Sequence, residues 1–321
     1  MMRMTVLASG SKGNSTVISS SRTRVLVDAG LSCREILKRM AIAGEDPATL
    51  DAILITHEHV DHVAGLAVLA RRLNIPVYLT EPTHRAWVRM VTPRTTMTYA
   101  KWLDHVQQEK EARAAVVAQG NLNGNLDIAA EAAPDSSANN LCEPETPATK
   151  SNPAHLPAVE YFHSGTSFSI GDLDITPFTI PHDAADPCGF VFAAEGIRMA
   201  VATDLGYVPP NVKAALKRID ALLLESNHDL EMLRDGPYPW SVKQRVLSRV
   251  GHLSNHATAE FLSTDYDGGA AYIVLGHLSE SNNAPELARI AAEQALATHP
   301  TLLGNRILLA EQGTPLESIC L

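Results

Sequence analysis

The chain has 321 residues, of which 45% are hydrophobic and 19% charged, and its formal net charge is -10. This composition is typical of a globular protein, and it offers no run of about 20 apolar residues that could cross a membrane as a helix. The N-terminal segment lacks the charged and apolar regions of a secretory signal, so we expect a cytoplasmic protein with no membrane partner. The four cysteines lie far apart, which argues against a disulfide framework and against a zinc knuckle.

The acidic balance argues weakly against nucleic acid as a substrate, because nucleic-acid enzymes usually present a basic surface. Residues 105–160 carry eight acidic and three basic side chains, so this one segment supplies half of the net charge. Divalent metal ions at an active site would offset part of the remaining charge locally. The charge therefore leaves a polyanionic substrate open.

Short runs of β-branched and apolar residues, broken by Gly, Ser and Asn, predict a β-meander at the start of the chain. Apolar residues at helical spacing then predict helices over residues 33–43 and 63–73. The strands predicted in this half of the chain cover residues 5–8, 15–18, 24–28, 51–56 and 75–80.

The stretch 107–157 has a different composition, rich in Ala, Asn, Pro, Ser and Glu, and it shows neither the helical nor the strand period. Such a segment cannot bury enough apolar surface to offset the entropy of ordering it. We predict a disordered insertion within one domain that spans residues 1–321. A linker between two domains is the less favoured interpretation, because residues of one candidate site occur on both sides of the stretch.

The second half of the chain repeats the order of strands followed by helices. The strands predicted there cover residues 168–170, 174–180, 190–194, 197–203, 220–225, 270–275 and 306–310. The predicted helices cover residues 242–250, 257–262 and 284–298. This order favours an α+β protein with two packed sheets and helices outside them, a four-layer αββα sandwich.

The strongest chemical signal is the sequence His-Glu-His-Val-Asp-His at residues 57–62, directly after the predicted strand 51–56. Imidazole and carboxylate groups are the ligands that Zn²⁺, Mn²⁺ and Fe²⁺ prefer. Since a turning loop can direct its residues to two sides, we expect His57 and His59 to face one metal ion, and Asp61 and His62 a second. A solvated helix start is the alternative, but unpaired polar groups are poorly tolerated between apolar segments.

The HxHxDH pattern after an apolar strand resembles the signature of the metallo-β-lactamase superfamily. Further motifs, LASGSKGNS, LVDAGLSCREI, ESNHD, GPYPW, GHLSN and LGHLSESNN, together resemble the YycJ/WalJ group of that superfamily. The group contains DNA-processing enzymes with 5′-to-3′ exonuclease activity on duplex DNA. The resemblance spans nearly the whole chain outside the stretch 107–157, and it implies the αββα fold, a metal-dependent hydrolase and DNA as the substrate.

The resemblance also implies two divalent metal ions, Zn²⁺ or Mn²⁺ with Fe²⁺ as a further option, on residues at strand ends. Asp28, in LVDAG, matches a residue that orients the histidine loop in the family. The ligands implied are His57, His59 and His182 for the first ion, Asp61, His62 and His277 for the second, and Asp204 as a bridge between both.

The expected reaction is hydrolysis of a phosphodiester, in which a hydroxide that bridges the two ions attacks in line. Asp61 and Asp204 are expected to act in catalysis as well as in metal binding. His252, in GHLSN, resembles the proton donor of tRNA-processing relatives, and His228, in ESNHD, is a second candidate for protonating the leaving oxygen. Glu225 could orient either histidine. For both histidines, the alternative is a buried polar residue that fixes a loop.

Two further segments could contact the substrate. Ser11, Lys12 and Asn14 lie in a glycine-rich loop that could hold a phosphate through backbone N–H groups and side chains, although an ordinary β-turn is equally compatible. A predicted helix with an aromatic start could contact a DNA backbone, and a solvated helix face is its alternative. The residues in question there are Trp240, Lys243, Arg245 and Arg249.

Three other functions are compatible with parts of this pattern. A hydrolase of the same fold could act on a small molecule, such as a thioester, a lactone or a cyclic phosphodiester, because fold and metal ions do not determine the substrate. A flavodiiron-type oxidoreductase would have Glu in place of His59 and would need a flavin domain, which the sequence does not indicate. A non-catalytic partner protein would lack some of the ligands, whereas this chain has all of them.

Overall fold

The computed structural model describes residues 1–92, 152–297 and 304–321. Within these ranges, two seven-stranded sheets pack face to face, and helices cover the outer face of each sheet. The predicted α+β class and four-layer αββα sandwich are therefore confirmed.

The first sheet has the strand order β14-β1-β2-β3-β4-β5-β6. Strands β1 to β3 are antiparallel, and β3 to β6 are parallel. Its strands are β1 (Arg3–Ala8), β2 (Ser15–Ser19), β3 (Arg24–Val27), β4 (Ala52–Leu54), β5 (Val77–Leu79), β6 (Val159–Tyr161) and β14 (Ile319–Cys320).

The second sheet has the order β13-β12-β11-β10-β9-β8-β7. Strands β10 to β13 are parallel, whereas β7 to β10 form antiparallel hairpins. Its strands are β7 (Phe168–Ile170), β8 (Leu173–Thr179), β9 (Cys188–Ala194), β10 (Ile197–Ala202), β11 (Ala221–Glu225), β12 (Tyr272–Gly276) and β13 (Arg306–Leu309).

Two of the longer helices begin at serine caps. Ser32 accepts a hydrogen bond from the backbone N–H of Glu35, and Ser254 accepts one from Ala257, which satisfies N–H groups that the first turn leaves free. The helices described are α1 (Cys33–Ile42), α2 (Val60–Val63), α3 (Leu66–Leu73), α4 (Glu81–Val91), α5 (Pro210–Ala215), α6 (Leu230–Asp235), α7 (Trp240–Val246), α8 (Asn255–Thr264) and α9 (Pro285–Leu296), with a short 3-10 helix at Pro47–Thr49.

The apolar core has three layers. The middle layer lies between the two sheets and contains side chains from both, such as Val25 and Leu54 from the first and Phe190 and Phe192 from the second. Helices α1, α3 and α4 pack on the outer face of the first sheet, and α5, α8 and α9 pack on that of the second. Burial of each large apolar side chain stabilises the fold by about 1.5–3 kcal/mol.

The helix predicted over residues 63–73 is divided in the structure, and its first part begins earlier. Helix α2 starts at Val60 and carries Asp61 and His62, while α3 follows after Gly65. A Cβ atom on Gly65 would lie 2.1 Å from the carbonyl oxygen of Leu31, so only glycine allows the two segments to approach this closely. The break places two of the ligand candidates on a short helix of their own.

Most of the predicted insertion, residues 107–151, lies outside the described residues. The last part of it is described, and there Leu156 is buried in the core beside helix α3. The packed chain therefore resumes before the predicted boundary at residue 157, because the apolar Leu156 side chain joins the core. In the described ranges, no helix has the length and apolar character needed to span a membrane.

Candidate metal centre

The metal-ligand candidates gather at one edge of the sandwich, where parallel strands end. In the first sheet, Asp28 follows β3 and the loop that begins at His57 follows the neighbouring β4. In the second sheet, Asp204 follows β10, Glu225 ends β11 and His277 follows β12. Because the carboxyl ends of neighbouring parallel strands meet at the same edge, residues far apart in the sequence come together.

Four overlapping groups of residues bring their ligand atoms within 4.8 Å of one another. Two of them include Asp204: one is His57, His62 and Asp204, and the other is Asp204, Glu225, His252 and His277. The remaining two correspond to the two sets that the family resemblance implies. The first set is His57, His59 and His182, and the second is Asp61, His62 and His277.

Asp204 lies between the two sets. Its Oδ2 is 3.3 Å from Nε2 of His62, and its Oδ1 is 3.6 Å from Nε2 of His277 in the second set. The same Oδ1 is 3.9 Å from Nε2 of His182 in the first set. Its carboxylate therefore lies between the two sets of ligand candidates.

Four of the histidines have a partner for Nδ1 on the side away from the centre of the site, so that Nε2 of each ring faces inward. Nδ1 of His62 contacts Asp28, and Nδ1 of His182 contacts the carbonyl oxygen of Gly251 at 3.1 Å. Nδ1 of His277 lies 2.9 Å from Glu225, and Nδ1 of His57 lies 3.0 Å from the Thr56 hydroxyl. Partners of this kind fix the tautomer of a metal-binding imidazole and leave its Nε2 lone pair for the ion.

Several inward-facing atoms fit a metal site because the protein does not pair them. In the described part of the chain, Nε2 of His57, Nε2 of His277 and Oδ2 of Asp204 are buried and have no hydrogen-bond partner. Buried polar atoms without a partner destabilise a protein unless something else satisfies them. A set of imidazole nitrogens and carboxylate oxygens is what Zn²⁺, Mn²⁺ or Fe²⁺ would satisfy.

The charges of the site also favour cations. Burial raises the pKa of Asp204, but His277 and His62 outweigh burial and hold that pKa well below its usual value. Burial lowers the pKa of His62 and of His277, but the surrounding carboxylates, Asp204 foremost, raise both well above the usual value. The carboxylates thus attract protons to these imidazoles, and a metal ion would compete with those protons.

Asp28 connects the first sheet to the histidine loop. Its Oδ2 lies 2.8 Å from Nδ1 of His62, and its Oδ1 accepts a hydrogen bond of 2.9 Å from the backbone N–H of Thr56. The carbonyl oxygen of Asp61 packs against Gly30, where a Cβ atom would lie 1.7 Å away. The position expected for Asp28, behind the histidine loop, is the position the structure gives it.

Three site residues have a backbone conformation that side chains disfavour. Asp28 and Asp204 have φ of 62°, and His277 has φ of 55°. For residues other than glycine, this left-handed region is uncommon and costs about 1–3 kcal/mol. The surrounding hydrogen bonds hold these residues in that conformation, which is a frequent property of functional sites.

Glu225 joins two histidines on the second-sheet side. Its Oε1 lies 2.7 Å from Nδ1 of His252 and 2.9 Å from Nδ1 of His277. Burial raises the pKa of Glu225, but His252 and His277 outweigh burial and lower the pKa to about 2. The carboxylate is therefore ionised at neutral pH and orients both imidazole rings.

His252 lies over the metal-ligand candidates, whereas His228 does not. The ring centroid of His252 is 5.1 Å from those of His182 and His277. His228 is only 1% exposed, belongs to neither ligand set, and has no hydrogen-bond partner for its ring among the described residues. Burial lowers the pKa of His228 to about 4, so the ring is neutral at pH 7. The structure thus places His252, and not His228, beside the ligand sets.

The residues predicted to contact substrate have different environments. Ser11 and Lys12 are exposed, and Lys12 forms an ion pair with Glu280. Asn14 is only 6% exposed, and its amide lies 3.0 Å from Nε2 of His62 and 3.4 Å from Oδ2 of Asp61. The buried amide of Asn14 therefore contacts metal-ligand candidates, and its contact with substrate stays a prediction.

The predicted basic helix is also only partly exposed. Lys243 is 8% exposed, and its ammonium donates hydrogen bonds to the carbonyl oxygens of Arg234 and Gly236. Its charge is therefore used within the protein. Arg245 and Arg249 are exposed, as is Trp240.

Two contacts at the site were not expected from the sequence. Asn227 donates a hydrogen bond of 2.8 Å to the carbonyl oxygen of His277 and so supports the ligand loop. Asp183, directly after His182, forms a bidentate ion pair with Arg245, 62 residues further along the chain. The adjacency of Asp183 to a histidine was visible in the sequence, but its partner depends on the fold.

The fold and the site together define a metal-dependent hydrolase of the αββα type. The sequence profile of the metallo-beta-lactamase superfamily matches residues 8–242, and the chain belongs to that superfamily. Its members use divalent metal ions, and the two ligand sets described above are candidate sites for them.

The names of two curated relatives indicate a more specific group within the superfamily. The chain is 34% identical over 295 residues to Exodeoxyribonuclease WalJ of Streptococcus pneumoniae serotype 2, which covers 92% of this chain and 88% of that protein. It is 32% identical over 295 residues to Exodeoxyribonuclease YycJ of Bacillus anthracis, with 92% and 89% covered. The fold is similar to that of the metallo-beta-lactamase fold protein YhfI from Bacillus subtilis, with a TM-score of 0.59, 13% identity, and 99% and 100% covered.

Proposed function

We propose that the protein is a metal-dependent exodeoxyribonuclease that removes nucleotides from DNA in the 5′-to-3′ direction. The observation that carries the proposal is the placement of the Glu225–His252 pair directly beside two adjoining sets of metal-ligand candidates. Such a site can bind a phosphodiester, activate water and protonate a leaving oxygen. The names of the WalJ and YycJ relatives, both exodeoxyribonucleases, support DNA as the substrate.

In this proposal, the first ligand set would hold one divalent ion and the other set a second, with the Asp204 carboxylate between the two sets. Two ions bound in this way neutralise phosphate charge and lower the pKa of water toward neutrality. Zn²⁺ and Mn²⁺ both suit the mixture of imidazole and carboxylate, and Fe²⁺ is a further option. Asp61 and Asp204 contribute negative charge that keeps the ions at the reaction centre.

His252 is the general acid in the proposed reaction. Its Nδ1 lies 2.7 Å from Glu225, which leaves Nε2 free to protonate the departing 3′-oxygen of the cleaved nucleotide. The side chain is 19% exposed, so substrate can reach it. His228 has no such access, and its backbone instead pairs with that of Ser254, next to the His252 loop. Its part is to hold that loop in place.

The substrate is proposed to approach from the side where the site is open. The side chains of His57 and His62 are buried, whereas those of His59 and Asp61 are 28% and 23% exposed. Together with His252, they form the face that a phosphodiester would meet. Ser11 and Lys12 are retained as candidate phosphate contacts on their exposed loop.

A digestion assay with end-labelled DNA tests the proposal. Duplex and single-stranded DNA, labelled at either end, would be incubated with the protein in Mn²⁺, Mg²⁺ or Zn²⁺. Parallel reactions would contain bis(p-nitrophenyl) phosphate, a thioester, a lactone, a cyclic phosphodiester and a β-lactam. The Asp204→Ala variant, purified in the same way, controls for contaminating nucleases.

We expect the wild-type protein to release mononucleotides from the 5′ end of DNA, and the variant to release none. Rapid hydrolysis of a thioester, lactone, cyclic phosphodiester or β-lactam without cleavage of DNA would contradict the proposal. It would favour a small-molecule hydrolase of the same fold.

A further inference from the structure

One arginine lies at the open edge of the metal centre. Arg245, at the end of α7, binds Asp183 through both Nε and Nη2, with Nη2 3.0 Å from Oδ1. That same Oδ1 of Asp183 is 3.5 Å from Nε2 of His182 and 3.8 Å from Nε2 of His59. A single carboxylate therefore separates the guanidinium from two ligand candidates of the first set.

Asp183 holds the guanidinium of Arg245 in place but does not bind all of its N–H groups. The Arg245 side chain is 59% exposed, and its Nη1 makes no hydrogen bond to any residue that the structure describes. A planar guanidinium held by a carboxylate at one edge can offer its remaining N–H groups to a phosphate oxygen. Asp183 thus sets the orientation of Arg245 before any ligand binds.

A second arginine lies on the same side of the site and is stacked on an aromatic ring. The guanidinium of Arg249 lies 4.3 Å from the centroid of the Tyr207 ring, and both residues are exposed. Tyr207 comes three residues after Asp204, the bridging candidate. The stacked pair is therefore tied to the metal centre through a short loop.

Close backbone packing connects this pair to Arg245. A Cβ atom on Gly206 would lie 2.2 Å from the carbonyl oxygen of Arg249, so the two loops are in direct contact. The backbone N–H of Asp183 donates a hydrogen bond of 3.1 Å to the carbonyl oxygen of Val250. The loops that carry Asp183, Tyr207 and Arg249 therefore form one continuous edge of the site.

Two other basic side chains are buried and bind groups inside the protein. Lys243 is buried and donates to backbone carbonyls, and Arg39 is buried and donates to the carbonyl oxygens of Leu7 and Gln312. Neither can reach a ligand in solvent. Arg245 and Arg249 are available, in a chain whose net charge is -10.

We propose that Arg245, Arg249 and Tyr207 form a nucleic-acid-binding rim. Arg245 binds the phosphate next to the one that is cleaved, and the Arg249–Tyr207 pair supports the adjoining nucleotide by charge and stacking. This inference rests on the proposed function, since it assigns the binding of the DNA strand to one side of the same site. It also indicates how an acidic protein can bind a polyanion, because Arg245 and Arg249 place two exposed guanidinium groups beside the metal centre.

Binding of a nuclease-resistant DNA tests the rim. The probe is a 5′-phosphorylated, fluorescein-labelled phosphorothioate duplex, titrated with the metal-loaded protein at several salt concentrations, with anisotropy as the readout. The variants are Arg245→Ala, Arg245→Lys and Arg249→Ala. Arg234→Ala is the matched control, because Arg234 is also exposed and also forms a bidentate ion pair, with Asp235, away from the metal-ligand candidates.

We expect Arg245→Ala to raise the Kd for DNA by about tenfold or more, the loss expected for a hydrogen bond to a charged group. The slope of log Kd against log salt should fall by about one, as for loss of one phosphate contact. Arg245→Lys should lie between wild type and Arg245→Ala, since it keeps the charge without the planar fork. Arg249→Ala should show a smaller loss, and Arg234→Ala should resemble wild type.

Three outcomes would overturn the rim, and they are distinguishable. If wild type cleaves DNA but Arg245→Ala and Arg249→Ala bind the duplex as tightly as Arg234→Ala, the rim is wrong while the proposed function stands. If wild type neither cleaves nor binds DNA, the proposed function fails, and the rim fails with it. Equal loss in all variants, Arg234→Ala included, would also contradict the rim, because it would show a nonspecific effect of charge.

Discussion

The two sheets supply their metal-ligand candidates in different ways. The first sheet contributes four of them from a single six-residue segment after β4, whereas the second contributes His182, Asp204 and His277 from the ends of three different strands. The first group depends on the local path of one loop. The second depends on the register of strands across a whole sheet. A site divided in this way forms only when both sheets are complete and packed together.

On each side of the site, a buried carboxylate contacts histidines: Asp28 on the side of the first sheet and Glu225 on the side of the second. The two carboxylates differ in the charges that surround them. Burial raises the pKa of Asp28, and its contacts with His62 and Thr56 only partly offset that effect. Glu225 contacts two histidines, which bring its pKa down to about 2 despite burial. Asp28 therefore acts mainly as an orienting group. Glu225 is positioned to stabilise positive charge on His252 as well.

The largest expected effect comes from the residue that joins the two sides. Asp204→Ala should lower DNA hydrolysis by about a thousandfold or more, because loss of metal-mediated charge stabilisation costs several kcal/mol. The fold should survive, as judged by circular dichroism. His256→Ala, which changes an exposed histidine on α8, is the control and should keep normal activity. Near-normal activity in Asp204→Ala would refute its role as a bridge.

Glu225→Gln should slow proton transfer even when the metal sites are saturated. Without the carboxylate, the imidazolium form of His252 loses its partner, so kcat should fall by about a hundredfold, in the range of general acid catalysis. Metal affinity should fall as well, because Glu225 also orients His277 of the second ligand set, so kcat is compared at saturating metal. A kcat equal to that of the wild type at saturating metal would show that Glu225 does not act through His252.

Asp28→Asn should act mainly through metal binding. The amide can no longer accept a charged hydrogen bond from His62, so metal affinity should fall by about 10- to 100-fold. Excess metal should restore kcat, which distinguishes this variant from Glu225→Gln. The check is a metal titration followed by activity. Failure of excess metal to restore activity would mean that Asp28 does more than orient the loop.

The smallest effect concerns a contact between the two sheets far from the site. Hydrogen bonds from Ser20 and Thr23, in the turn between β2 and β3, lower the pKa of Asp172, between β7 and β8, to about 2. The ionised form is therefore favoured in the folded protein. Its stabilising effect is present above the ordinary value of 3.8 and is lost as pH falls toward 2. Asp172→Asn should weaken this pH dependence in urea unfolding of the protein, and an unchanged dependence would contradict the assignment.

The difference between the two sides also explains what the sequence could predict. The segment His57–His62 was recognisable because its ligands are contiguous, and the αββα sandwich followed from the alternation of strands and helices. His182, Asp204 and His277 were assigned only through family resemblance, since single residues at strand ends carry no pattern of their own.

Features that depend on contacts across the fold were missed. The sequence indicated one helix across Gly65, because the close approach to Leu31 is tertiary. Asn14 and Lys243, both candidates for substrate contact, are buried by packing that the sequence does not indicate. The Asp183–Arg245 pair joins residues from separate segments, and no local pattern identifies it.

The number of metal ions bound per chain tests the central claim most directly. Wild-type protein would be stripped with a chelator, reloaded with Zn²⁺ or Mn²⁺, and measured by inductively coupled plasma mass spectrometry. Asp204→Ala would be measured in parallel. The arrangement of the ligand sets predicts about two ions per wild-type chain and fewer in the variant. One ion or none in the wild type under saturating metal would contradict a site in which the two sheets hold a pair of cations.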